Sequence, residues 1–228
     1  MRFLALATDY DGTLAHDGYV DEPTVAALDQ LRASGRRLIL VTGRELPELN
    51  AVFPHLDKFD RVVAENGGLI FDPTTKAERV LAEPPPPPLL DQLRRRGVAP
   101  LSVGRAIIAT WEPHEKDVLA AIHDLGLEMQ VIFNKGSVMV LPSGVNKATG
   151  LRAALAELAI APANVVAVGD AENDHALLDA CGCGAAVANA LPMLRARADI
   201  ELTADHGAGV VELIDRLMGD DLAGCRKK

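Results

Sequence analysis

Short runs of apolar residues that each end in a polar turn constrain the fold of this chain more than any other feature. Five of these runs are RFLALAT, RRLILVTG, RVVAENGG, NVVAVGD and GAAVAN. They lack the alternation of polar and apolar residues that marks a strand with one solvated face, and helical patterns such as EPTVAALDQLRASG lie between them. Strands that are buried on both faces and connected by helices favour a parallel sheet covered on both sides. We therefore predict an α/β protein.

Residues 84–145 interrupt this pattern. The proline run EPPPPP, residues 83–88, fits neither a helix interior nor a central strand, so we predict a stiff extended connector there. The strand pattern GRAIIATWE and the helical pattern HEKDVLAAIHDLG follow, and then the strand patterns EMQVIFN and SVMVLPS are separated by the short turn KG. Hairpin pairing implies an antiparallel sheet. We therefore predict a small α+β domain at residues 84–145, inserted into a core of residues 1–83 and 146–228; one continuous mixed sheet is the alternative.

Composition argues against several classes of function. The 228 residues carry a formal net charge of −9, whereas a protein that binds nucleic acid through phosphate contacts normally presents a basic surface. No apolar run approaches the roughly 18–20 residues that span a bilayer, and the N-terminal sequence reaches Asp9 too soon for a signal peptide. We expect a cytoplasmic protein that binds neither nucleic acid nor membranes, as a monomer or a homodimer.

The three cysteines, Cys181, Cys183 and Cys225, are too few and odd in number for a disulfide framework. Cys181 and Cys183 form a C-x-C pair, but the sequence offers no second pair and no nearby histidine cluster to complete a zinc site. We expect the cysteines to be small buried residues.

Polar residues directly follow four of the predicted strands. In an open parallel sheet, ligands bind beyond the carboxyl ends of the strands, where these side chains would meet. Turns favour Asp, Asn and Gly in any protein, so each group alone is a weak indication and their convergence is the stronger argument. The groups are Asp9, Tyr10 and Asp11 after the first strand, Thr42, Gly43 and Arg44 after the second, Glu65 and Asn66 after the third, and Asp170, Glu172, Asn173 and Asp174 after the fourth.

Four carboxylates, those of Asp9, Asp11, Asp170 and Asp174, would come together at this edge. Unpaired, they repel one another, and a hard divalent cation relieves the repulsion. Mg²⁺ prefers oxygen ligands and takes one or two carboxylates together with waters and substrate phosphate. The cluster therefore predicts Mg²⁺ as the cofactor.

Lys147 opens the helical pattern KATGLRAALAELA, directly after LPSGVN. A cation in the first turn of a helix opposes the helix dipole, although the cost is small. An anion beside its ammonium group would offset that cost, because the N-terminus of a helix also attracts anions. A solvated surface lysine is the alternative.

The segments DYDGT, TGR, the lysine after GVN, and GDAEND resemble, in their order and strand context, the four motifs of the haloacid dehalogenase-like phosphohydrolases. The segments AENGG and ACGCGAAVANALPMLRARAD resemble the Cof-type subgroup, whose cap domain lies between the second and third motifs. The resemblance covers nearly the whole chain. It implies a Rossmann-like parallel-sheet core and an inserted α+β cap that closes over the site and supplies specificity.

The resemblance also implies the central chemical roles. Asp9 would be the nucleophile that forms an aspartyl-phosphate, and Asp11 would protonate the leaving alcohol and then activate water. Asp9, Asp170 and the backbone carbonyl of Asp11 would bind Mg²⁺. Lys147 would neutralise charge on the phosphoryl group and on Asp9.

Other residues of the motifs would bind or support the phosphate, again by resemblance. Thr42 and the amide of Gly43 would bind its oxygens, while Asp174 and Asn173 would support the waters of the metal or the phosphate site. Tyr10 would contribute its backbone amide.

The remaining polar residues leave alternatives open. Arg44 and Glu65 are either substrate contacts or a structural ion pair, and the Asp17-Gly18 turn signal predicts a small flap beside the site. Candidate leaving-group contacts, each of which could equally be an ordinary surface or packing residue, are Arg105, Trp111, His114, Asn134 and Lys135.

The function implied is a Mg²⁺-dependent phosphatase that hydrolyses a small phosphorylated metabolite, either phosphoglycolate or a sugar phosphate. A phosphomutase of the same superfamily would instead pass the phosphoryl group to another substrate hydroxyl. A phospho-accepting regulatory domain would hold it on Asp9 without turnover. The acid supplied by Asp11 favours hydrolysis over this last alternative.

Overall fold

A computed structural model describes residues 1–227 of the chain. No helix in this range has the length and apolar character needed to cross a membrane. The strands are β1 (Ala5–Thr8), β2 (Arg37–Val41), β3 (Arg61–Ala64), β4 (Leu69–Phe71), β5 (Glu78–Val80), β6 (Ser102–Val103), β7 (Ile108–Trp111), β8 (Met129–Asn134), β9 (Ser137–Pro142), β10 (Val165–Gly169), β11 (Cys183–Ala186) and β12 (Ile200–Glu201). The helices are α1 (Glu22–Ala33), α2 (Leu46–Val52), α3 (Pro87–Arg95), α4 (Glu115–Asp124), α5 (Lys147–Glu157), α6 (His175–Ala180), α7 (Pro192–Arg197) and α8 (His206–Asp220). Short 3-10 turns cover Leu56–Lys58, Glu65–Gly67, Pro162–Asn164 and Glu172–Asp174.

The larger sheet contains eight strands within residues 1–227, in the order β12-β11-β10-β1-β2-β3-β4-β5. The strands from β12 to β3 run parallel, so Ala7 of β1 lies between Ala167 of β10 and Ile39 of β2. Every residue of β1 is buried, which explains its unbroken apolar run. The five predicted strands are all present, and the prediction of an α/β fold with a Rossmann-like core is confirmed.

The sequence patterns do not predict the short strands at the margins of this sheet. Strands β4 and β5 extend the sheet antiparallel to their neighbours, and β12 adds two residues at the opposite edge. All three residues of β5 are exposed, so no apolar run marks it. A strand of two or three residues is too short to show a period.

A second sheet has the strand order β6-β7-β9-β8 and is antiparallel throughout. Helices α3 and α4 cover it, and the alternative of one continuous sheet is wrong. At the turn between β8 and β9, Lys135 and Gly136 have φ values of 47° and 85°, as a two-residue hairpin turn requires. The buried residues of its own hydrophobic cluster include Leu89, Leu93, Ile108, Val118, Val138 and Val140. We call residues 84–145 the cap; its boundaries stay a prediction.

The proline run differs in part from the prediction of an extended connector. Pro86 is extended, with φ −63° and ψ 126°, but helix α3 already begins at Pro87. Proline is tolerated in the first helical turn because its fixed φ suits a helix and the amides of that turn have no partner within the helix. The helix then buries Leu89 and Leu93.

The cysteines are buried as expected, but two of them are paired. Cys183 in β11 forms a disulfide with Cys225, 42 residues further along the chain, so the argument against disulfides from their odd number is wrong for this pair. Cys181 is a free buried thiol. Sequence spacing alone cannot reveal a pairing that depends on where the end of α8 returns to the sheet.

Glu65 connects the two sheets and corrects the alternatives offered for it. The residue follows β3, is 1% exposed, and its carboxylate accepts backbone N–H bonds from Arg105 (3.0 Å), Ala106 (2.7 Å) and Ile107 (3.2 Å) in the cap. Its side chain is therefore neither in an ion pair with Arg44 nor free for a substrate. It fixes the segment before β7 over the carboxyl edge of the larger sheet.

Candidate active site

The carboxyl ends of β1, β2 and β10 bring the predicted site residues together. Asp9, Thr42 and Asp170 each follow the last residue of one of these strands. All three are buried, with exposed fractions of 4%, 0% and 0%. Carboxylate oxygens of Asp9, Asp170 and Asp174 all lie within 4.8 Å of one another.

Lys147 binds two of these three carboxylates. Its Nζ donates to Asp9 Oδ1 at 2.6 Å and to Asp174 Oδ1 at 2.7 Å, and its side chain is 1% exposed, so the alternative of a solvated lysine is wrong. The preceding Asn146 caps α5 and accepts from the amides of Ala148 and Thr149. The two carboxylates offset the unfavourable interaction between this ammonium group and the dipole of α5.

A close approach of two backbones places Lys147 there. A Cβ on Gly150 would lie 2.6 Å from the Cα of Gly67, which only glycine avoids. Gly67 itself has φ +106°, a conformation that other residues rarely adopt. The start of α5 can therefore rest against the turn after β3.

Burial and neighbouring charges shift the pKa values of both partners. Burial, aided by the charges of Asp174 and Asp170, holds the pKa of Asp9 well above its usual range, although Lys147 opposes this. Burial acts to lower the pKa of Lys147, but the charges of Asp174 and Asp9 outweigh it and raise that pKa. Lys147 is therefore charged at neutral pH, and the anionic form of Asp9 needs more positive charge than one ammonium group supplies.

The oxygens of Asp170 and Asp174 are already engaged by groups of the protein. Asp170 Oδ1 accepts from Thr13 Oγ1 at 2.9 Å, and Asp170 Oδ2 contacts the ammonium group of Lys135 from the cap. Asp174 Oδ2 accepts from the amides of Asp170 and Ala171, each at 3.0 Å. Asp174 thus orients the loop after β10 and Lys147. The oxygen-only donors and excess negative charge fit a hard divalent cation held by Asp9 and Asp170.

Asp11 lies outside this carboxylate cluster. Arg44 binds it in a bidentate ion pair, with Nε and one terminal nitrogen each 2.7 Å from a carboxylate oxygen. The structural ion pair considered for Arg44 therefore exists, but its partner is Asp11 and not Glu65. The side chain of Asp11 is 40% exposed and faces the cleft.

The side chain of Tyr10 is buried and does not line the cleft described among residues 1–227. The ring is fully buried, and its hydroxyl donates to the carbonyl of Gly18 at 2.8 Å. Burial, with a contribution from the charge of Asp11, raises the pKa of Tyr10 to about 12. The hydroxyl holds the flap of residues 16–19, where His16 and Tyr19 pair as the turn signal predicts.

The predicted phosphate-binding residues lie in the turns that follow β2 and β10. Gly43 lines the cleft, and a Cβ on it would lie 3.8 Å from Asn173 Nδ2. Asn173 Nδ2 donates to Asn66 Oδ1 at 3.1 Å. Within the described residues, Asn66 Nδ2 and Asn173 Oδ1 are buried without a hydrogen-bond partner. Thr42 Oγ1 accepts from the amide of Arg44, so its hydrogen is available for another acceptor.

A cleft of about 940 Å³ lies between the core and the cap, and Asp9, Asp11 and Gly43 line it on the core side. The flap forms one wall, and Trp111, Asn134 and Lys135 of the cap contribute to another. Two other candidate leaving-group contacts in the cap, Arg105 and His114, are not among the described residues that line the cleft. Arg105 pairs with Glu78, and His114 bonds the carbonyl of Ala99.

The sequence patterns miss two residues that support the first motif. Asn189 Nδ2 and His206 Nδ1 lie 2.8 Å and 2.9 Å from the carbonyl oxygen of Gly12. The ring of His206 also stacks on His16, with centroids 4.4 Å apart. Asn189 ends the predicted strand run GAAVAN, so the rule of strand ends applies to it as well, whereas no spacing in the sequence points to His206.

Known proteins share these features. A family model described as haloacid dehalogenase-like hydrolase matches residues 6–87 and 106–214. Phosphoglycolate phosphatase 2 of Saccharolobus solfataricus is 32% identical over 226 residues, covering 94% of this chain and 92% of that protein. A phosphoglycolate phosphatase of Methanothermobacter thermautotrophicus is 31% identical over 225 residues, covering 94% and 99%.

A solved structure shows that the fold is shared as well. A sugar phosphatase of subclass IIB of the same superfamily has a TM-score of 0.77 and 18% identity, with 94% of this chain and 98% of that chain covered. The fold, the family model and the relatives agree with the resemblance carried by the four motifs. This chain belongs to the haloacid dehalogenase-like hydrolases, and it is a phosphatase.

Proposed function

We propose that this phosphatase is Mg²⁺-dependent and acts through an aspartyl-phosphate on Asp9. The observation that carries the proposal is the buried contact of Asp9 with Lys147, 2.6 Å long. Asp9 also lines the cleft, and its carboxylate lies within 4.8 Å of that of Asp170. A carboxylate so placed can reach a phosphoryl group that enters the cleft. Lys147 offsets the charge that such a group brings.

The proposed reaction has two displacements. Asp9 attacks phosphorus, the bond to the leaving oxygen breaks, and a proton from Asp11 goes to that oxygen. Asp11 then takes a proton from water, whose oxygen attacks phosphorus and releases Asp9 and inorganic phosphate. Thr42, the Gly43 amide and Asn173 would hold the phosphoryl oxygens. Gly43 lines the same cleft as Asp9, and Asn173 lies close to Gly43.

The carboxylates of Asp9 and Asp170 and the backbone carbonyl of Asp11 would hold Mg²⁺. The cation would supply positive charge to the phosphoryl oxygens and so lower the cost of bringing two anions together. Asp174 would act through Lys147 and the loop after β10, both of which it binds.

Phosphoglycolate is the substrate that we propose first. Two proteins named phosphoglycolate phosphatase match this chain at 31–32% identity over more than 90% of both lengths. The ion pair of Arg44 with Asp11 also supports an acidic leaving group. A carboxylate entering the cleft can take over the guanidinium of Arg44 and leave Asp11 free to carry protons. Sugar phosphates are the second candidates, because the subclass IIB neighbour is a sugar phosphatase.

A substrate panel tests this proposal. We expect release of free phosphate with Mg²⁺, a higher kcat/KM for 2-phosphoglycolate than for glucose 6-phosphate, and loss of activity in EDTA that added Mg²⁺ restores. Asp9→Asn should reduce turnover to background because it removes the nucleophile. Asp215→Asn, on the exposed face of α8, is the control and should keep full activity.

Three results would contradict parts of the proposal. More than a few per cent of activity in D9N would exclude Asp9 as nucleophile, and full activity in EDTA would exclude the metal. Phosphate recovered in a second ester, and not free in solution, would indicate a phosphomutase.

A further inference from the structure

The tip of the β8–β9 hairpin enters the predicted metal site. Lys135 and Gly136 form the turn with positive φ, and the ammonium group of Lys135 contacts Asp170 Oδ2. The backbone N–H of Lys135 donates to Glu172 Oε2 at 3.3 Å. The cap thus contacts the loop after β10 through both the side chain and the backbone of one residue.

The local charge balance explains why an ammonium group lies there. Asp9, Asp170 and Asp174 carry up to three negative charges within 4.8 Å, and Lys147 bonds to two of them only, Asp9 and Asp174. Asp170 is 0% exposed, so its remaining charge is costly without a cation. Lys135 supplies that second positive charge.

The shape of the site also admits the ammonium group. A Cβ on Gly12 would lie 2.6 Å from Lys135 Nζ, so the absence of a side chain at Gly12 leaves the room that the ammonium group fills. The side chain of Lys135 is 44% exposed, so the ammonium group has a way out into the cleft.

We propose that Lys135 is an internal counter-ion that competes with the divalent cation for Asp170. In the cation-free protein, its ammonium group holds Asp170. Cation binding displaces that group and releases the hairpin tip from the core. The inference rests on the cation site of the proposed function, and it adds that this site is coupled to the cap.

The physical reason is that two cations cannot share one buried carboxylate oxygen without strong repulsion. The coupling is reciprocal. If the contact of Lys135 with Asp170 weakens cation binding by a given factor, a bound cation weakens that contact by the same factor. A variant without the ammonium group should therefore bind the cation more tightly.

Calorimetric titration with Mg²⁺ in the absence of substrate tests this directly. Lys135→Gln should lower the Kd for Mg²⁺ by about tenfold, a typical size for coupling between two sites. Lys135→Arg keeps the charge and should stay near the wild-type Kd. Lys116→Gln removes an exposed lysine of α4 in the same cap and should leave the Kd unchanged.

Tryptophan fluorescence gives a second readout that does not depend on activity. Trp111 is the only tryptophan of the chain, and it pairs with Ser137 beside the hairpin tip. Adding Mg²⁺ to the wild type should change its emission with a midpoint equal to the calorimetric Kd. In K135Q the ammonium contact with Asp170 is already absent, so the change should be small.

The outcomes separate this inference from the phosphatase proposal. Equal or weaker Mg²⁺ binding in K135Q than in the wild type would overturn the inference and leave the phosphatase intact. A full change of Trp111 emission in K135Q would also overturn it. Absence of Mg²⁺ binding in both proteins would overturn the metal site and the inference together.

Discussion

Lys147 shows how single residues create the chemistry of this site. It is a charged side chain with 1% exposure, held between two carboxylates that are as deeply buried. Removing one partner from a buried ion pair typically costs about 3–5 kcal/mol, whereas an apolar replacement of the whole pair is often neutral. The cluster is therefore weak evidence for stability, and it suits the proposed reaction, which brings negative charge into the cleft.

Tyr10 allows a pH prediction at the same scale. Its folded pKa of about 12 lies above the value of about 10 for an unfolded chain. Its neutral phenol therefore stabilises the fold at pH below 10, and that contribution is lost as the pH rises toward 12. The chain has two tyrosines, so Tyr19→Phe leaves Tyr10 as the only phenol, and phenolate absorbance in that variant should show a midpoint near pH 12.

The matched control for this titration is Tyr10→Phe, which leaves the exposed Tyr19. A Y19F midpoint no higher than that of Y10F would contradict the burial argument. Urea unfolding of Y19F at increasing pH should show the same trend as its absorbance.

Residues were predictable from the sequence where they directly follow a buried strand. Asp9, Thr42 and Asp170 meet at one edge because parallel strands end there. The contacts of His206 with Gly12 and of Lys135 with Asp170 depend on how distant segments return to the edge. No local pattern encodes that return.

At the scale of secondary-structure elements, one carboxylate holds the segment before β7 in place. Glu65 accepts hydrogen bonds from three backbone N–H groups of the cap, all within 3.2 Å. These N–H groups precede β7, so the carboxylate takes the place of a neighbouring strand as their acceptor. Hydrogen bonds to a charged group contribute about 1.5–3 kcal/mol each, so the carboxylate is a strong link between the core and the cap.

Glu65→Gln should weaken this link without changing the size of the side chain. One acceptor oxygen becomes an NH₂ donor, which faces an amide donor of the cap. We expect a loss of about 2 kcal/mol in the free energy of unfolding and faster hydrogen exchange at Ala106 and Ile107. Glu128→Gln, at an exposed cap position, should change neither, and unchanged exchange in E65Q would exclude the linking role.

Elements were predictable in proportion to the apolar surface that they bury. The five core strands and α1, α5 and α8 have patterns set by the sheet on which they pack. Helices α2 and α7 have seven and six residues, and β5 is fully exposed, so burial leaves little trace in their sequences. The last two prolines of the predicted extended connector instead begin α3, because prolines that disfavour a helix interior are tolerated in its first turn.

Across the whole molecule, the Cys183–Cys225 disulfide joins the end of the chain to β11. Closing a loop of 42 residues stabilises a fold by about 4 kcal/mol in the chain-entropy model. Burial raises the pKa of Cys181 to about 12, so this remaining thiol is protected in the folded protein.

Thiol counting tests this connection. Protein purified without reductant should show no reactive thiol when folded, one per chain in denaturant and three after reduction. A reductant should also lower the melting temperature of the wild type but not that of Cys225→Ser. Three thiols in denaturant without reduction would show that the pair is not formed.

The central position of β1 has a consequence for how the protein is made. Strand β1 is synthesised first, yet one of its edges waits for β10, which follows about 160 residues later. At roughly 5–20 residues per second, that edge stays open for about ten to thirty seconds on the ribosome. A chain that ends before Lys147 and Asp170 leaves Asp9 without its counter-charge and its carboxylate neighbour. On the proposed mechanism, we expect such a chain to be inactive.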